Sequence, residues 1–185
     1  ACSTGGPKAL QSVIPHLPKE LDAPVVLVQH MPVGFTNSLA QRLNELSPIS
    51  VKEAADGEAI TKGCVYIAPG GKQMKIIKDR NGYHISILDE PARDGLRPCA
   101  NITYDSLSKS GFDEIVCVVL TGMGADGTNG ILSLAQHKPI HVISQNAETC
   151  VVYGMPKAIE ESGVVDEVVP LEKVAETITK NVGVK

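Results

Sequence analysis

The first ten residues, ACSTGGPKAL, place a serine and a threonine before two glycines and a helix-like pattern. The spacing nearly fits the G-x-S-x-G nucleophile elbow, with Ala1 in place of the first glycine. At such a strand-to-helix turn the Ser3 hydroxyl would stand clear of the sheet. The backbone N–H groups of the helix's first turn would then point at the atom that the hydroxyl attacks. The same stretch also fits a glycine-rich turn that binds phosphate, or one that binds nothing.

The chain around this motif alternates between strand-like apolar runs and helix-like periodicity. APVVLVQH, EIVCVVL and IHVIS are short apolar runs typical of buried parallel strands. Residues 35–46 carry apolar side chains at helical spacing, and the Asn81-Gly82 pair between MKIIK and YHISIL indicates an antiparallel hairpin. The sequence therefore predicts a single α/β domain over residues 1–185. We expect a doubly wound, mostly parallel sheet with helices on both faces and an inserted antiparallel hairpin.

The carboxyl ends of parallel strands are where an open α/β sheet places its working residues. Of the five histidines, only His30 lies at the carboxyl end of a predicted parallel strand. Asp126 follows the strand EIVCVVL, in the glycine-rich loop TGMGADGTNG. Ser3, His30 and Asp126 therefore fall on loops at one edge of the predicted sheet. In a catalytic triad an imidazole takes the proton of the serine, and a carboxylate stabilises the imidazolium that forms.

Each of these residues also has a plain structural explanation. A single histidine is commonly a hydrogen-bonded structural residue, and an aspartate before a helix is commonly its N-cap. Asp126 would then cap the helix that follows it in the chain. The two roles are compatible, because a cap fixes the position of the residue. The order Ser…His…Asp differs from the Ser…Asp/Glu…His order of α/β-hydrolases, which argues against an ordinary lipase or esterase of that fold.

Composition excludes several classes of function. The formal net charge is -4 and aromatic residues make up 3%, so neither a basic face nor stacking platforms for nucleic acid are present. The longest apolar runs are too short to span a bilayer, so we expect no membrane insertion. The cysteines form no C-x-x-C pair and their number is odd, which predicts a reducing, cytoplasmic location without a disulfide framework or zinc site. They are Cys2, Cys64, Cys99, Cys117 and Cys150.

Five blocks of the sequence resemble the catalytic domain of the CheB-type chemotaxis methylesterases. They are STGG, QHMPVGFT, YIAPGGKQM, LTGMGADG and QNAETCVVYGMP, and they occur in the family's order over nearly the whole chain. The resemblance implies a serine hydrolase that removes methyl groups from glutamate γ-methyl esters of chemoreceptors, releasing methanol, in chemotactic adaptation. It assigns the triad to Ser3, His30 and Asp126. Many members of the family also deamidate receptor glutamines.

Further site residues and partners are implied by the same resemblance. Thr4 and Met123 would flank the oxyanion and the substrate, and Arg97 in LRPC would lie near the substrate cleft. No metal and no organic cofactor would be needed. The implied partners are the cytoplasmic helices of methylated chemoreceptors and a phospho-receiver domain that is normally part of the same chain and covers the active site.

The sequence departs from the family's pattern at three points. The family usually has a glycine where this chain has Ala1, with an apolar strand before it, so we expect the first strand to be truncated. In the LRPC block the family tends to continue with serine and an acid, where this chain has Cys99, Ala100 and Asn101. No receiver domain is found in these residues, which predicts that phosphorylation does not regulate the chain.

Two other functions remain open from the residues alone. A protein-glutamine deamidase would use the same groups and differ only in its leaving group. A non-catalytic α/β module would use the STGG turn to bind a phosphate. A fluorophosphonate probe separates the classes, because only an activated serine reacts with it.

Overall fold

The structure is a computed structural model that describes residues 1–185. The strands are β1 (Val25–Leu27), β2 (Ser50–Glu53), β3 (Cys64–Ile67), β4 (Gln73–Asp79), β5 (Gly82–Leu88), β6 (Ile115–Val119), β7 (Ile140–Gln145) and β8 (Glu167–Val169). The helices are α1 (Gly6–Val13), α2 (Phe35–Leu46), α3 (Ala100–Ser106), α4 (Thr128–Ala135), α5 (Met155–Glu161) and α6 (Leu171–Val182). None of the helices is long and apolar enough to cross a membrane.

A short N-terminal segment, Ala1–Ser3, joins two parallel three-stranded sheets into one. The separate sheets have the orders β1-β3-β2 and β6-β7-β8. On one side of the segment Cys2 forms a parallel bridge with Gln29, just beyond β1. On the other side the Ser3 N–H donates to the carbonyl of Thr121, just beyond β6, at 3.0 Å. The continuous order is therefore β2-β3-β1-(Ala1–Ser3)-β6-β7-β8, with the segment that carries Ser3 at its centre.

Helices cover both faces of this sheet, which confirms the predicted doubly wound α/β architecture. One face buries apolar side chains of α1, α2 and α6, among them Leu10, Val13, Leu39, Leu43, Val174 and Ile178. The other face buries side chains of α3, α4 and α5, among them Ala100, Ile131, Leu134, Met155 and Ile159. Because α1 leaves the central segment toward one face and α3 and α4 lie on the other, Ser3 stands where the winding changes direction.

The predicted hairpin is also present. β4 and β5 pair antiparallel from Gln73 with Leu88 to Asp79 with Gly82. Its apolar residues Met74, Ile76 and Ile85 pack into the same cluster as α3 and α4. The hairpin therefore packs against α3. The helix ends at Ser106 because the following residues, LSKSG, include several poor helix formers.

Helices α3 and α4 approach so closely at Gly130 that no side chain fits there. A Cβ atom on Gly130 would lie 2.8 Å from the Cβ of Tyr104 and 2.9 Å from the Cα of Asn101. Helix packing at this distance requires glycine, because the neighbouring atoms include backbone. Since the start of α3 bonds Asp126 and α4 follows Asp126 in the chain, the spacing of the two helices sets the geometry of the site described below.

We therefore expect Gly130→Ala to destabilise the protein by about 1–3 kcal/mol through overpacking. The intrinsic helix propensity of alanine acts in the opposite direction by about 1 kcal/mol. Asn129→Ala, at an exposed position on the same helix, is the control and should be neutral or slightly stabilising. Urea denaturation of both variants measures the effect, and a stabilised Gly130→Ala protein would show that the two helices can move apart freely.

Candidate active site

Ser3 lies at the turn from the central segment into α1. Its N–H donates to Thr121 at 3.0 Å, while its carbonyl accepts the Gly6 N–H at 2.7 Å. Gly5 precedes the helix with φ 81°, in the left-handed region that glycine adopts without strain. The strand-to-helix turn predicted from the sequence is therefore present, and the Ser3 side chain is only partly buried.

Two backbone N–H groups near the Ser3 side chain have no partner within the chain. They belong to Thr4, which follows Ser3, and to Met123, which follows Gly122 in the loop after β6. A Cβ atom on Gly122 would lie 2.9 Å from the Cβ of Ser3 and 2.3 Å from the Sδ of Met155. The absence of a side chain at Gly122 thus lets the β6 loop contact Ser3. Unpaired N–H groups in such a place can bind an oxyanion.

His30 lies beside Ser3 on the neighbouring strand. Cys2 and Gln29 are bridged in parallel, so Ser3 and His30 are the next pair in register, on strands spaced about 4.8 Å apart. Their side chains extend to the same face of the sheet, because side chains in a strand alternate and partners in register share a face. The structure shows no hydrogen bond between the Ser3 hydroxyl and the imidazole. Catalytic hydrogen bonds of this kind often tighten only when substrate binds.

The imidazole of His30 is hydrogen-bonded to Asp126. The Nε2 of His30 lies 2.6 Å from the Oδ2 of Asp126, and the two side chains are 11% and 1% exposed. This contact occupies Nε2 and leaves Nδ1 as the ring nitrogen that can accept a proton. The structure thus brings together His30 and Asp126, which are 96 positions apart in the chain, and places Ser3 on the segment next to His30.

Asp126 accepts hydrogen bonds from three more donors, all at the start of α3. The Ala100 N–H donates to Oδ2 at 2.7 Å, and the Asn101 N–H and the Cys99 thiol donate to Oδ1 at 3.0 and 3.2 Å. Burial raises the pKa of Asp126, but the hydrogen bonds from His30 and from the start of α3 outweigh it, so the pKa lies below its ordinary value. The carboxylate is therefore ionised at neutral pH although it is buried.

The hydrogen-bonding partner of Asp126 corrects one sequence-based interpretation. Asp126 was expected to cap the helix that follows it, but its carboxylate makes no hydrogen bond to the first turn of α4. Asp126 instead caps α3, and Asn101 of α3 accepts the N–H groups of Gly127 and Gly130 at 2.9 and 2.8 Å. The two helices cap each other, which the chain order does not reveal. The polar Asn101 in the first turn of α3 was the only feature of the sequence that pointed to this capping.

Cys99 is completely buried against this carboxylate. Burial and the neighbouring Asp126 raise the pKa of its thiol to about 11, so the group is neutral and can donate to Asp126. Its N–H donates to the side-chain oxygen of Gln73 at 2.8 Å. Cys99 thus occupies a supporting position under the carboxylate, rather than a position that contacts substrate.

Arg97 makes its hydrogen bonds outside the three predicted triad residues. Its Nη2 is 3.1 Å from Asp89, and its carbonyl accepts the Gly71 N–H at 3.1 Å. The structure shows no hydrogen bond between Arg97 and Ser3, His30 or Asp126. Its predicted place near the substrate cleft stays a prediction.

Exposed apolar side chains surround Ser3 at this edge of the sheet. Val33 follows β1, Met123 follows β6 and Val151 follows β7, and they are 73%, 68% and 66% exposed. Two cavities, of about 580 and 490 Å³, contain none of Ser3, His30 or Asp126 in their linings. The site is therefore an open surface with an apolar rim, rather than one of these cavities.

A doubly wound α/β fold with a partly exposed serine next to a hydrogen-bonded histidine–aspartate pair is an arrangement typical of serine hydrolases. A family model described as CheB methylesterase matches residues 1–178. The chain belongs to the CheB methylesterase family. Its structure superimposes on the crystal structure of the Thermotoga maritima CheB methylesterase catalytic domain with a TM-score of 0.93 and 41% sequence identity, covering 98% of this chain and 95% of that one.

Two relatives are identical to the chain at about half of the aligned positions. It is 50% identical over 177 residues to a protein-glutamate methylesterase/protein-glutamine glutaminase of Bacillus subtilis. It is 51% identical over 178 residues to a protein of the same name from Clostridium acetobutylicum. Each alignment covers 96% of this chain and 50% of the relative. The chain thus spans about half the length of the curated relatives it matches.

The contribution of the ionised Asp126 carboxylate to the free energy of unfolding can be tested by varying the pH. Because the pKa of Asp126 is lower in the folded protein, the ionised carboxylate stabilises the fold at neutral pH, and this stabilisation is lost as the pH falls through the folded pKa. We expect Asp126→Asn to lower the free energy of unfolding by about 1 kcal/mol or more at pH 7, with a smaller difference from wild type below about pH 4.

Chemical denaturation of both proteins at pH 7 and in acid measures this difference. Asp113→Asn is the control, because Asp113 is exposed and makes no hydrogen bond. It should give almost no difference at either pH. A penalty for Asp126→Asn that stays constant with pH would contradict the assignment.

Proposed function

We propose that the chain hydrolyses glutamate γ-methyl esters on chemoreceptors, with Ser3 as nucleophile, His30 as base and Asp126 as the acid of the triad. The observation that carries the proposal is the His30–Asp126 hydrogen bond of 2.6 Å on the strand next to Ser3. The family and the names of the relatives supply the substrate class. The triad roles rest on geometry and chemistry.

The reaction follows from the positions of these groups. The Ser3 oxygen attacks the ester carbonyl while the His30 Nδ1 accepts its proton. Negative charge develops on the carbonyl oxygen, which the N–H groups of Thr4 and Met123 stabilise. His30 then protonates the departing methoxide, and methanol leaves an acyl-enzyme. Water, deprotonated by His30, releases the glutamate side chain and restores Ser3.

Asp126 supports both proton transfers. As an ionised group bonded to Nε2, it fixes the tautomer that leaves Nδ1 free and stabilises the imidazolium. It can do so without being neutralised, because the start of α3 supplies hydrogen bonds to the same carboxylate. No metal or organic cofactor takes part in these steps.

Deamidation of receptor glutamine is the second proposed activity. The curated relatives are named protein-glutamine glutaminase as well as methylesterase. The chemistry is the same except that ammonia leaves in place of methanol, again protonated by His30. A phosphate-binding module, by contrast, gives no role to the hydrogen-bonded pair of His30 and Asp126.

The open, apolar rim supports a macromolecular substrate. Val33, Met123 and Val151 would contact the helix of a receptor that carries the ester, and the receptor surface would supply the orientation that a free ester lacks. Such a substrate lies on the cytoplasmic side, which makes the cytoplasm the proposed location. A phospho-receiver domain, implied by the family resemblance, is a second proposed partner.

Ser3→Ala tests the proposal directly. Methanol release from methylated chemoreceptor should fall by at least about a thousandfold, because the nucleophile is lost. Labelling by a fluorophosphonate should also disappear. Ser38→Ala, which removes an exposed hydroxyl on α2, should leave both unchanged. A wild-type protein that neither labels nor releases methanol would favour the phosphate-binding alternative.

Asp126→Asn tests the third member of the triad separately. Asparagine can present an N–H to the imidazole and favour the wrong tautomer, and it removes the charge that stabilises the imidazolium. We expect kcat to fall by at least roughly a hundredfold, about 2.7 kcal/mol of transition-state stabilisation, in protein shown by circular dichroism to be folded. Near-normal kcat in the folded variant would mean that Asp126 is only the cap of α3.

A further inference from the structure

Gln29 is a buried amide that links the carbonyls of the proposed nucleophile and base. It is 2% exposed and follows β1, and its Nε2 donates to the Ser3 carbonyl at 3.0 Å and to the His30 carbonyl at 3.2 Å. Its side chain extends to the face opposite those of Ser3 and His30, under the first turn of α1. A Cβ atom on Gly6 would lie only 1.8 Å from its Oε1.

The parallel hydrogen-bond ladder beside Ser3 stops one step early. The Cys2 N–H donates to Val28 at 3.0 Å, and the His30 N–H donates to Cys2 at 3.2 Å. In a parallel ladder the next donor in register is the N–H of Thr4, and its acceptor is the carbonyl of His30. That hydrogen bond is absent, because the chain turns into α1 after Ser3.

Gln29 supplies the N–H donor for the His30 carbonyl, which the Thr4 N–H does not bond. Its amide nitrogen bonds the His30 carbonyl, so this carbonyl stays satisfied while the Thr4 N–H remains unpaired. The same nitrogen bonds the Ser3 carbonyl and ties the turn to β1. The other end of the amide is poorly placed: the Gln29 Oε1 is buried without a hydrogen-bond partner. An unsatisfied acceptor destabilises a fold, so the amide is not explained by stability alone.

We propose that Gln29 is a positioning residue, which keeps the Thr4 N–H free for the oxyanion by occupying the carbonyl that Thr4 would otherwise bond. The inference rests on the proposed function, in which that N–H stabilises negative charge in the transition state. Without the Gln29 amide the Thr4 N–H turns toward His30 and completes the ladder. The nucleophile and base stay in place, but one oxyanion donor is lost.

Gln29→Met is the sharpest test, because methionine preserves the length of the side chain and lacks a donor. Loss of one oxyanion donor costs on the order of 10²–10³ in kcat in serine hydrolases, so we expect kcat on methylated receptor to fall at least about tenfold. KM should stay within about threefold, because the donor acts on charge that exists only in the transition state. Val174→Ala, a core truncation on α6, controls for general destabilisation and should leave kcat near wild type.

Hydrogen exchange of the Thr4 amide gives a readout that does not depend on activity. In the wild type this unpaired N–H should exchange rapidly. In Gln29→Met it should slow by about tenfold or more, because it becomes hydrogen-bonded to His30. A normal kcat in Gln29→Met would overturn the proposal, and so would a reduced kcat with unchanged Thr4 exchange. If wild type shows no esterase activity the proposed function fails, while Thr4 exchange still decides the role of Gln29.

Gln29→Glu covers the case in which the methionine variant does not fold. A protonated carboxyl keeps one donor, whereas an ionised one keeps none. The ratio of its kcat to that of wild type should therefore fall as the pH rises and the carboxyl ionises. A ratio that is constant with pH would overturn the proposal.

Discussion

The buried carboxylate of Asp126 is the interaction on which the geometry of the site depends. An ionised group at 1% exposure is costly unless every oxygen is well bonded, and here His30 and three donors at the start of α3 bond it. The same contacts orient α3 against the β6 loop. Asn101 of α3 in turn caps α4, because its side-chain oxygen accepts the N–H groups of Gly127 and Gly130. The ionised carboxylate of Asp126 and the Asn101 amide thus link α3, α4, the β6 loop and the imidazole of His30.

Buried amides complete the edge of the sheet where the strands end. Gln29 donates to backbone carbonyls beyond β1, and Gln145 at the end of β7 accepts a backbone N–H beyond β6. The Gln145 Oε1 accepts the Thr121 N–H at 2.8 Å, and its Nε2 donates to the Thr149 carbonyl at 2.9 Å. Strands that turn away into loops leave backbone groups unpaired, and buried groups of this kind need partners. Side-chain amides meet the need because each offers both a donor and an acceptor.

The sequence predicted the parts of this arrangement that depend on periodicity and on strand ends. Apolar runs indicated the parallel strands, Asn81-Gly82 indicated the hairpin, and the position of His30 at the end of a strand selected it from the five histidines. The supporting contacts could not be predicted in this way. Asp126 was paired with the nearest helix in the chain, whereas its donors Ala100 and Asn101 are 26 and 25 residues away.

Glutamine is a further case in which sequence reasoning fails for a physical reason. It is mostly an exposed residue, so a glutamine at the end of an apolar strand gives no sign of being buried. Gln29 and Gln145 are nevertheless 2% and 0% exposed. What buries them is the bend of neighbouring segments away from the sheet, which releases carbonyls and N–H groups for them to bond. That bend is a property of the assembled sheet, not of the residues around either glutamine.

The central position of Ala1–Ser3 has a consequence for the order in which the protein forms. The segment leaves the ribosome before its neighbour β6, from which it is separated by more than a hundred residues; the hydrogen bond from Ala1 to Val118 spans 117 positions. At about 5–20 residues per second, synthesis of the intervening chain takes on the order of ten seconds. During that time Ser3 can meet the His30 strand but not Met123 or Asp126. Ser3 is thus synthesised before Met123 and Asp126, and the proposed active site is complete only when the sheet closes.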